Sequence, residues 1–191
     1  MLDKSLPYID LIMKRPAGAA LMEPRLPDGY SIRHFMPGDE IYWAEIEASV
    51  GEFNREMDAL LYFQKTFLPC VKELERRCLF VCNPENVPVG TFTIWWAYTG
   101  KRRDPWVYWV AVRPEFQKQG LGKAAIASGM KLACEIEGDR DMYLHTQTWS
   151  WQAIRLYQEA GFCITDETGL GGHTNDNHQQ ALAVLKQYIS L

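Results

Sequence analysis

Gln117, Gly120 and Gly122, with Lys118 and Lys123 beside them, are the residues of this chain whose types and spacing bear most directly on chemistry. A glycine permits close backbone approach and left-handed dihedrals, and the first turn of a helix leaves its amide N–H groups without intrahelical acceptors. Such a turn binds phosphate, because the N–H groups and the helix dipole both favour an anion. The two lysines add positive charge, and the ligand expected is a pyrophosphate. The same spacing also describes an ordinary helix entry. A Walker loop needs Gly-Lys-Ser/Thr, and here Lys123 is followed by Ala124. A dinucleotide fingerprint needs a third glycine and an acidic residue closing a second strand, neither of which is evident.

The elements around this turn are legible. Val107, Tyr108, Trp109, Val110 and Val112 are β-branched or aromatic and suit a buried strand. Pro114 lacks an N–H and biases Arg113 to an extended conformation, so the strand ends there. From Leu121 the apolar residues recur at helical spacing through Ala133, and the helix is expected to end near Gly138. Upstream, the sequence predicts a strand over 30–35, a helix from an Asp39 cap through Ser49 with Gly51 as its stop, and a second helix from about Arg55 or Asp58 to Arg77, kinked or split at Pro69. Cys78–Cys82 and Val89–Trp96 read as strands. Downstream come a strand over Met142–Thr146, a helix from a Ser150 cap to Ala160, a strand from Phe162, an aperiodic stretch over 166–180, and an apolar Ala181–Leu185 read as a last strand or else a helix. Leu6–Met13 reads as a short helix with Pro7 in its first turn.

The strand, turn and helix together resemble motif A of the GNAT superfamily of acetyl-CoA-dependent N-acetyltransferases, Arg/Gln-x-x-Gly-x-Gly/Ala after an apolar strand. Gln117, Gly120 and Gly122 match it residue by residue. Ser150-x-x-Ala153-x-x-Leu156-Tyr157-x-x-x-Gly161-Phe162 resembles motif B, and helical spacing puts Ala153 and Tyr157 on one face. The resemblance covers almost the whole chain. It implies an α/β (α+β) fold with a central mixed, mostly antiparallel sheet flanked by helices, whose splayed central strands hold acetyl-CoA.

What the resemblance implies about residues is specific. Gln117, Lys118, Gln119, Gly120, Leu121, Gly122 and Lys123 form the pyrophosphate loop, and the backbone of Val110, Ala111 and Val112 bonds the pantetheine arm. Ser150 and Ala153 complete the cofactor site, although the family often has Asn where Ser150 stands. Tyr157 is expected to protonate the departing thiolate, since a phenol with a pKa near 10 keeps its proton at neutral pH. Many relatives carry a glutamate base on the central strand, which this chain lacks. Glu52, after Gly51, is the candidate base or amine-binding residue, with His145 and Tyr108 behind it. The segment 39–58 holds Asp39, Glu40, Glu45, Glu47, Glu52, Glu56 and Asp58 against Arg55 alone, which suits a cationic acceptor. Trp95, Trp96, Trp149 and Trp151 are candidates to line an acceptor pocket.

The whole chain sets the remaining bounds. Its 191 residues are read as a single domain over 1–191, with 1–27 an N-terminal helix and connecting stretch packed on it. A net charge of −4 argues against general nucleic-acid binding. No apolar run approaches a membrane span, and the N-terminal stretch is a poor signal sequence, so no membrane is expected. Five cysteines without a Cys-x-x-Cys read as reduced, mostly buried thiols of a cytoplasmic protein. His173 and His178 lack acidic or thiol partners at ligand spacing, so no metal is expected. The function expected is transfer of acetyl from acetyl-CoA to a primary amine of a small molecule by direct attack. A non-catalytic acyl-CoA sensor and a protein N-terminal or lysine acetyltransferase are the alternatives. Monomer or homodimer is left open.

Overall fold

A computed structural model describes residues 2–189. In chain order the elements are β1 (Asp10–Arg15), β2 (Ser31–His34), α1 (Glu40–Val50), α2 (Glu56–Thr66), α3 (Val71–Arg77), β3 (Cys78–Cys82), β4 (Pro88–Thr99), β5 (Arg102–Val112), α4 (Leu121–Glu137), β6 (Met142–Gln147), α5 (Trp151–Glu159), β7 (Cys163–Ile164) and α6 (His178–Leu185). The strand order is β2-β3-β4-β5-β6-β1-β7. The sheet is mixed, with β5 and β6 parallel and the pairs β2–β3, β3–β4, β1–β6 and β1–β7 antiparallel. No helix of the described residues is long and apolar enough to cross a membrane. The residues cluster into two compact units, through both of which β4, β5 and α4 run.

The first unit comprises Glu23–Ile94 and Trp109–Leu132. Its centre is aromatic: Phe63 lies 4.9 Å from Trp43, 5.3 Å from Phe67 and 5.7 Å from Phe35, ring centre to ring centre. α1 buries Trp43, Ile46, Glu47 and Val50, the i, i+3, i+4, i+7 stripe of a helix facing a core. Gly51 ends it as expected, at φ +91°, with its N–H returned to Ala48. Pro69 splits the second helix into α2 and α3 around the 3-10 turn Leu68–Cys70. Asp39 does not cap α1 through its side chain. Its carboxylate instead accepts two bonds from Arg33, at 2.6 and 2.9 Å, and one from the Met36 N–H. A charged bidentate partner outcompetes a neutral cap.

α4 sits on β4 closely enough that one position admits no side chain. A Cβ at Gly129 would lie 2.3 Å from the Phe92 ring.

The second unit comprises Leu2–Met22, Trp95–Tyr108 and the chain from Ala133 onward. The N-terminal helix expected over Leu6–Met13 is instead strand β1, paired with β6 from Asp10↔Gln147 to Arg15↔Met142 and with β7 at Met13↔Ile164. Leu11, Ile12 and Met13 are all fully buried. A strand covered on both faces carries a continuous apolar run, which periodicity cannot tell from a short buried helix. With β1 between β6 and β7, the apolar Ala181–Leu185 forms no strand. It is the end of α6, where Ala181 and Leu185, four apart, are buried.

Trp149 and Trp151 hold the N-terminal segment: their indole N–H groups donate to the Leu6 carbonyl and to Asp3. All five cysteines are free, as expected, but only Cys78 and Cys82 are fully buried; Cys70 and Cys163 are exposed.

Candidate functional site

The loop between β5 and α4 is built from three local constraints. Pro114–Phe116 forms a 3-10 turn, and the Arg113 N–H still donates to Val89 at 2.8 Å, so the chain leaves the sheet only there. The Gln117 side-chain amide then donates to the Val112 carbonyl at 2.8 Å, tying the loop back to the strand end. Lys118 and Gly120 both take left-handed dihedrals, at φ +62° and +86°, and the Gly120 carbonyl accepts the first α4 bond, from Ala124. A lysine at positive φ is strained, and such strain concentrates where backbone N–H groups must be aimed.

Lys118, Gln119, Gly120 and Lys123 are exposed, while Leu121 is buried and anchors the helix start. A Cβ on Gly120 would meet nothing within 4 Å, so the space above it is open. Tyr30 donates to the Gln119 side chain at 3.1 Å. The arrangement can hold an anion through the α4 amides and lysine charge. Gln117, expected as a ligand, has its side-chain amide engaged with the strand, so what it offers an anion is its backbone.

Upstream of the loop, β5 is irregular. It pairs with β6 at Trp106↔Tyr143 and Val107↔Leu144. Two residues on, Trp109 has φ +50°, an outlier for so bulky a side chain. Val110 follows half-buried, and Ala111 and Val112 are buried. Gly90 of β4 makes room here, since a Cβ on it would lie 3.0 Å from the Ala111 carbonyl oxygen.

The Trp109 ring packs into an aromatic group that the sequence did not single out. It lies 5.5 Å from Trp43, 5.3 Å from Phe53 and 5.2 Å from Tyr62. One signal for it was available: Trp43 belongs to the buried stripe of α1, Phe53 precedes α2 and Tyr62 lies within it. On that stripe Glu47 is buried, and its Oε1 has no hydrogen-bond partner. Burial, and then the nearby Glu52 charge, push its carboxyl well above the usual glutamate range. Glu52 is exposed at the α1–α2 junction, and its N–H donates to the Glu47 carbonyl. Of the other acidic residues in this segment, Glu45 pairs with Arg113, Asp39 with Arg33 and Asp58 with Arg55.

In the second unit, Tyr157 is buried on α5 with its ring 6.0 Å from Phe162, edge-on. Gly161, at φ +87°, turns the chain so that the Phe162 N–H returns to the Tyr157 carbonyl at 2.9 Å. Ser150 precedes α5 without capping it through its side chain; its hydroxyl accepts from Gln147 at 3.1 Å. Ala153 is half-buried on the same helix. His145 lies 3.4 Å from Asp10 and stacks on His173 at 4.3 Å. Burial lowers the pKa of both histidines, and His173 further lowers that of His145. Trp95 and Trp96 stack on each other at 4.3 Å, with the Arg103 guanidinium over Trp96. A cavity of about 440 Å³ lies elsewhere in this unit, among Lys14, Cys163, Asp166 and His178, and no expected site residue lines it. Among the described residues, no group of three or more His, Cys, Asp or Glu is placed to hold a metal ion.

The chain is 29% identical over 160 residues to a mycothiol acetyltransferase of Streptomyces coelicolor, covering 83% of this chain and 50% of that protein. It thus spans about half the length of the mycothiol acetyltransferases it matches. Its fold matches a GCN5-related N-acetyltransferase from Sphaerobacter thermophilus at a TM-score of 0.65 and 21% identity, over 82% of this chain and 48% of that one. It also matches the diaminobutyrate acetyltransferase of Paenibacillus lautus, solved with its substrate and coenzyme A, at 0.51 and 17%, over 68% and 73%. The acetyltransferase (GNAT) family model matches residues 38–162, which include the β5–α4 loop, Trp109 and Tyr157, and the chain belongs to that family.

Proposed function

We propose that the protein transfers the acetyl group of acetyl-CoA to a primary amine of a small molecule. The observation that carries this is the β5–α4 loop, with Lys118 and Gly120 left-handed at the α4 N-terminus directly after the irregular stretch of β5. The α4 amides, with Lys118 and Lys123, hold the pyrophosphate, and the backbone of Val110, Ala111 and Val112 holds the pantetheine arm. One of those N–H groups polarises the thioester carbonyl as an oxyanion donor. Acetyl-CoA, when bound, supplies an activated acyl carbon. The amine nitrogen forms the new C–N bond there, the C–S bond breaks, and Tyr157 gives its proton to the thiolate. The nitrogen's surplus proton leaves to a base or to water, and Tyr157 is reprotonated from solvent.

A small-molecule acceptor is supported by the relatives' name, mycothiol acetyltransferase. Five free cysteines suit a reducing compartment, so we place the activity in the cytoplasm.

Calorimetric titration of acetyl-CoA tests the loop. In Gly120→Val a β-branched side chain must adopt φ +86° or the turn must rearrange. We expect affinity to fall about tenfold or more, since misaiming even one charge-assisted phosphate bond costs about 1.5–3 kcal/mol. Equal affinities remove the loop assignment.

Glu52 is the proposed group at the acceptor side, and pH separates its two possible roles. As a base, Glu52→Gln lowers turnover at neutral pH, with recovery as pH rises toward the amine's own pKa near 10. As a charge partner only, the variant raises KM for the amine while turnover holds. A variant unchanged in both parameters removes Glu52 from the site.

A further inference from the structure

Among the acidic residues of 39–58, the structure singles out one that the sequence cannot rank. Glu47 is 1% exposed, and its Oε1 makes no hydrogen bond. The indole N–H groups of Trp43 and Trp109, in the same aromatic group, are likewise buried without an acceptor. Buried polar groups are nearly always satisfied, and each unmet one costs about 1–3 kcal/mol. Glu47 stands one helical turn beyond Trp43 on the same face of α1, and Trp43 meets Trp109, the residue that immediately precedes Val110. A buried carboxyl with one unmet oxygen therefore stands a helical turn from Trp43, whose ring packs on the residue preceding the backbone to which we assign the thioester.

We propose that Glu47, with the rings of Trp43, Phe53, Tyr62 and Trp109, is the receptor for the positive charge of the acceptor, which enters as a primary ammonium ion. This rests on the acetyl-CoA reading of the loop. An ammonium group has three donors and no acceptor, so it satisfies a bare carboxylate oxygen, and ring faces attract it electrostatically. Four arginines of this unit are paired with other carboxylates. Arg113 is taken by Glu45 and Arg33 by Asp39. Arg55, at the α2 start, is taken by Asp58, and Arg77 of α3 by Glu73. Glu52 at the junction is a like charge, and Cys78 of β3 is a neutral thiol, pushed up to about 12 by its burial.

The free protein holds Glu47 protonated well above the ordinary glutamate range of about 4.5. A raised folded pKa means that this carboxyl's contribution to stability is complete below that ordinary value and is lost as pH rises through the folded value. Glu47→Gln, an isostere that stays neutral, is therefore expected to be more stable than wild type at pH 8, with the gap closing toward pH 4. A carboxyl kept for structure alone gives the opposite: a variant less stable at every pH.

The deciding measurement is a titration of the full chain, without acetyl-CoA, with n-butylamine at pH 7, where it is a cation, and with n-butanol as the uncharged control. It is followed by tryptophan fluorescence and by calorimetry in buffers of different ionisation enthalpy. Wild type is expected to bind the amine saturably with release of a proton, and butanol at least tenfold more weakly. Glu47→Gln is expected to lose at least tenfold in amine affinity and all proton release, with acetyl-CoA affinity unchanged. Glu47→Asp, which keeps a titratable carboxyl, is expected to retain proton release. No binding of the amine to wild type, equal binding of amine and alcohol, or equal amine binding by wild type and Glu47→Gln overturns the proposal. Gly120→Val loses acetyl-CoA and keeps the amine, so the loop reading and this one fail separately.

Discussion

Tyr157→Phe is expected to lower turnover about 10- to 1000-fold, around the lower part of the range that a positioned acid contributes. Affinity for acetyl-CoA should hardly change. The substitution removes one oxygen and keeps the ring, which is buried and edge-on to Phe162, so α5 keeps its packing. What it loses is the proton for the departing thiolate. Without that donor the sulfur leaves as an anion, and the fall should therefore lie in the chemical step. Single-turnover measurement of thiol release, with saturating amine and acetyl-CoA, reads that step directly. A steady-state assay alone can hide the effect if product release limits the wild-type enzyme. Unchanged single-turnover rates with Tyr157→Phe would make Tyr157 a packing residue, and the proton would have to come from solvent.

Gly129→Ala is expected to have the largest effect on stability, a loss of about 1–3 kcal/mol or more. The added methyl carbon would sit 2.3 Å from two atoms of the Phe92 ring, and Phe92 is itself buried. The ring cannot swing away into solvent, so α4 must lift from β4 or Phe92 must leave its rotamer. Denaturant unfolding reads this as a lower midpoint with an unchanged slope. Phe92→Leu, which trims the ring, should restore part of the loss in the double variant, because the two residues touch. α4 begins at Leu121, directly after Gly120, so displacing it also misaims the amides of the loop. Weaker acetyl-CoA binding should accompany the lost stability. A Gly129→Ala protein as stable as wild type would mean that α4 is not seated where Phe92 lies.

Much of this protein is written in short-range chemistry. Pro114 ends a strand, Gly51 stops α1, Pro69 divides α2 from α3, and Gly138 follows the last residue of α4 at φ +76°. Each outcome follows from the residue's own dihedral range and hydrogen-bonding groups, so it survives without knowledge of neighbours. Gln117, Gly120 and Gly122 are legible for the same reason, since a phosphate loop needs only a turn and a helix start. Other features depend on partners distant in sequence. The run Leu11-Ile12-Met13 becomes β1 because β6 and β7 supply its edges. Ser150 and Asp39 fail as side-chain caps because Gln147 and Arg33 reach them. The left-handed Trp109 is invisible in an apolar β-branched and aromatic run, which reads as regular strand. The seven carboxylates of 39–58 look alike in the sequence, and helical spacing says only that Glu47 shares a face with Trp43. Which of them is stripped of water is decided by how α1 packs: Glu47 is buried while Glu52 is exposed. Desolvation is a property of what surrounds a group, and that is set by tertiary packing alone.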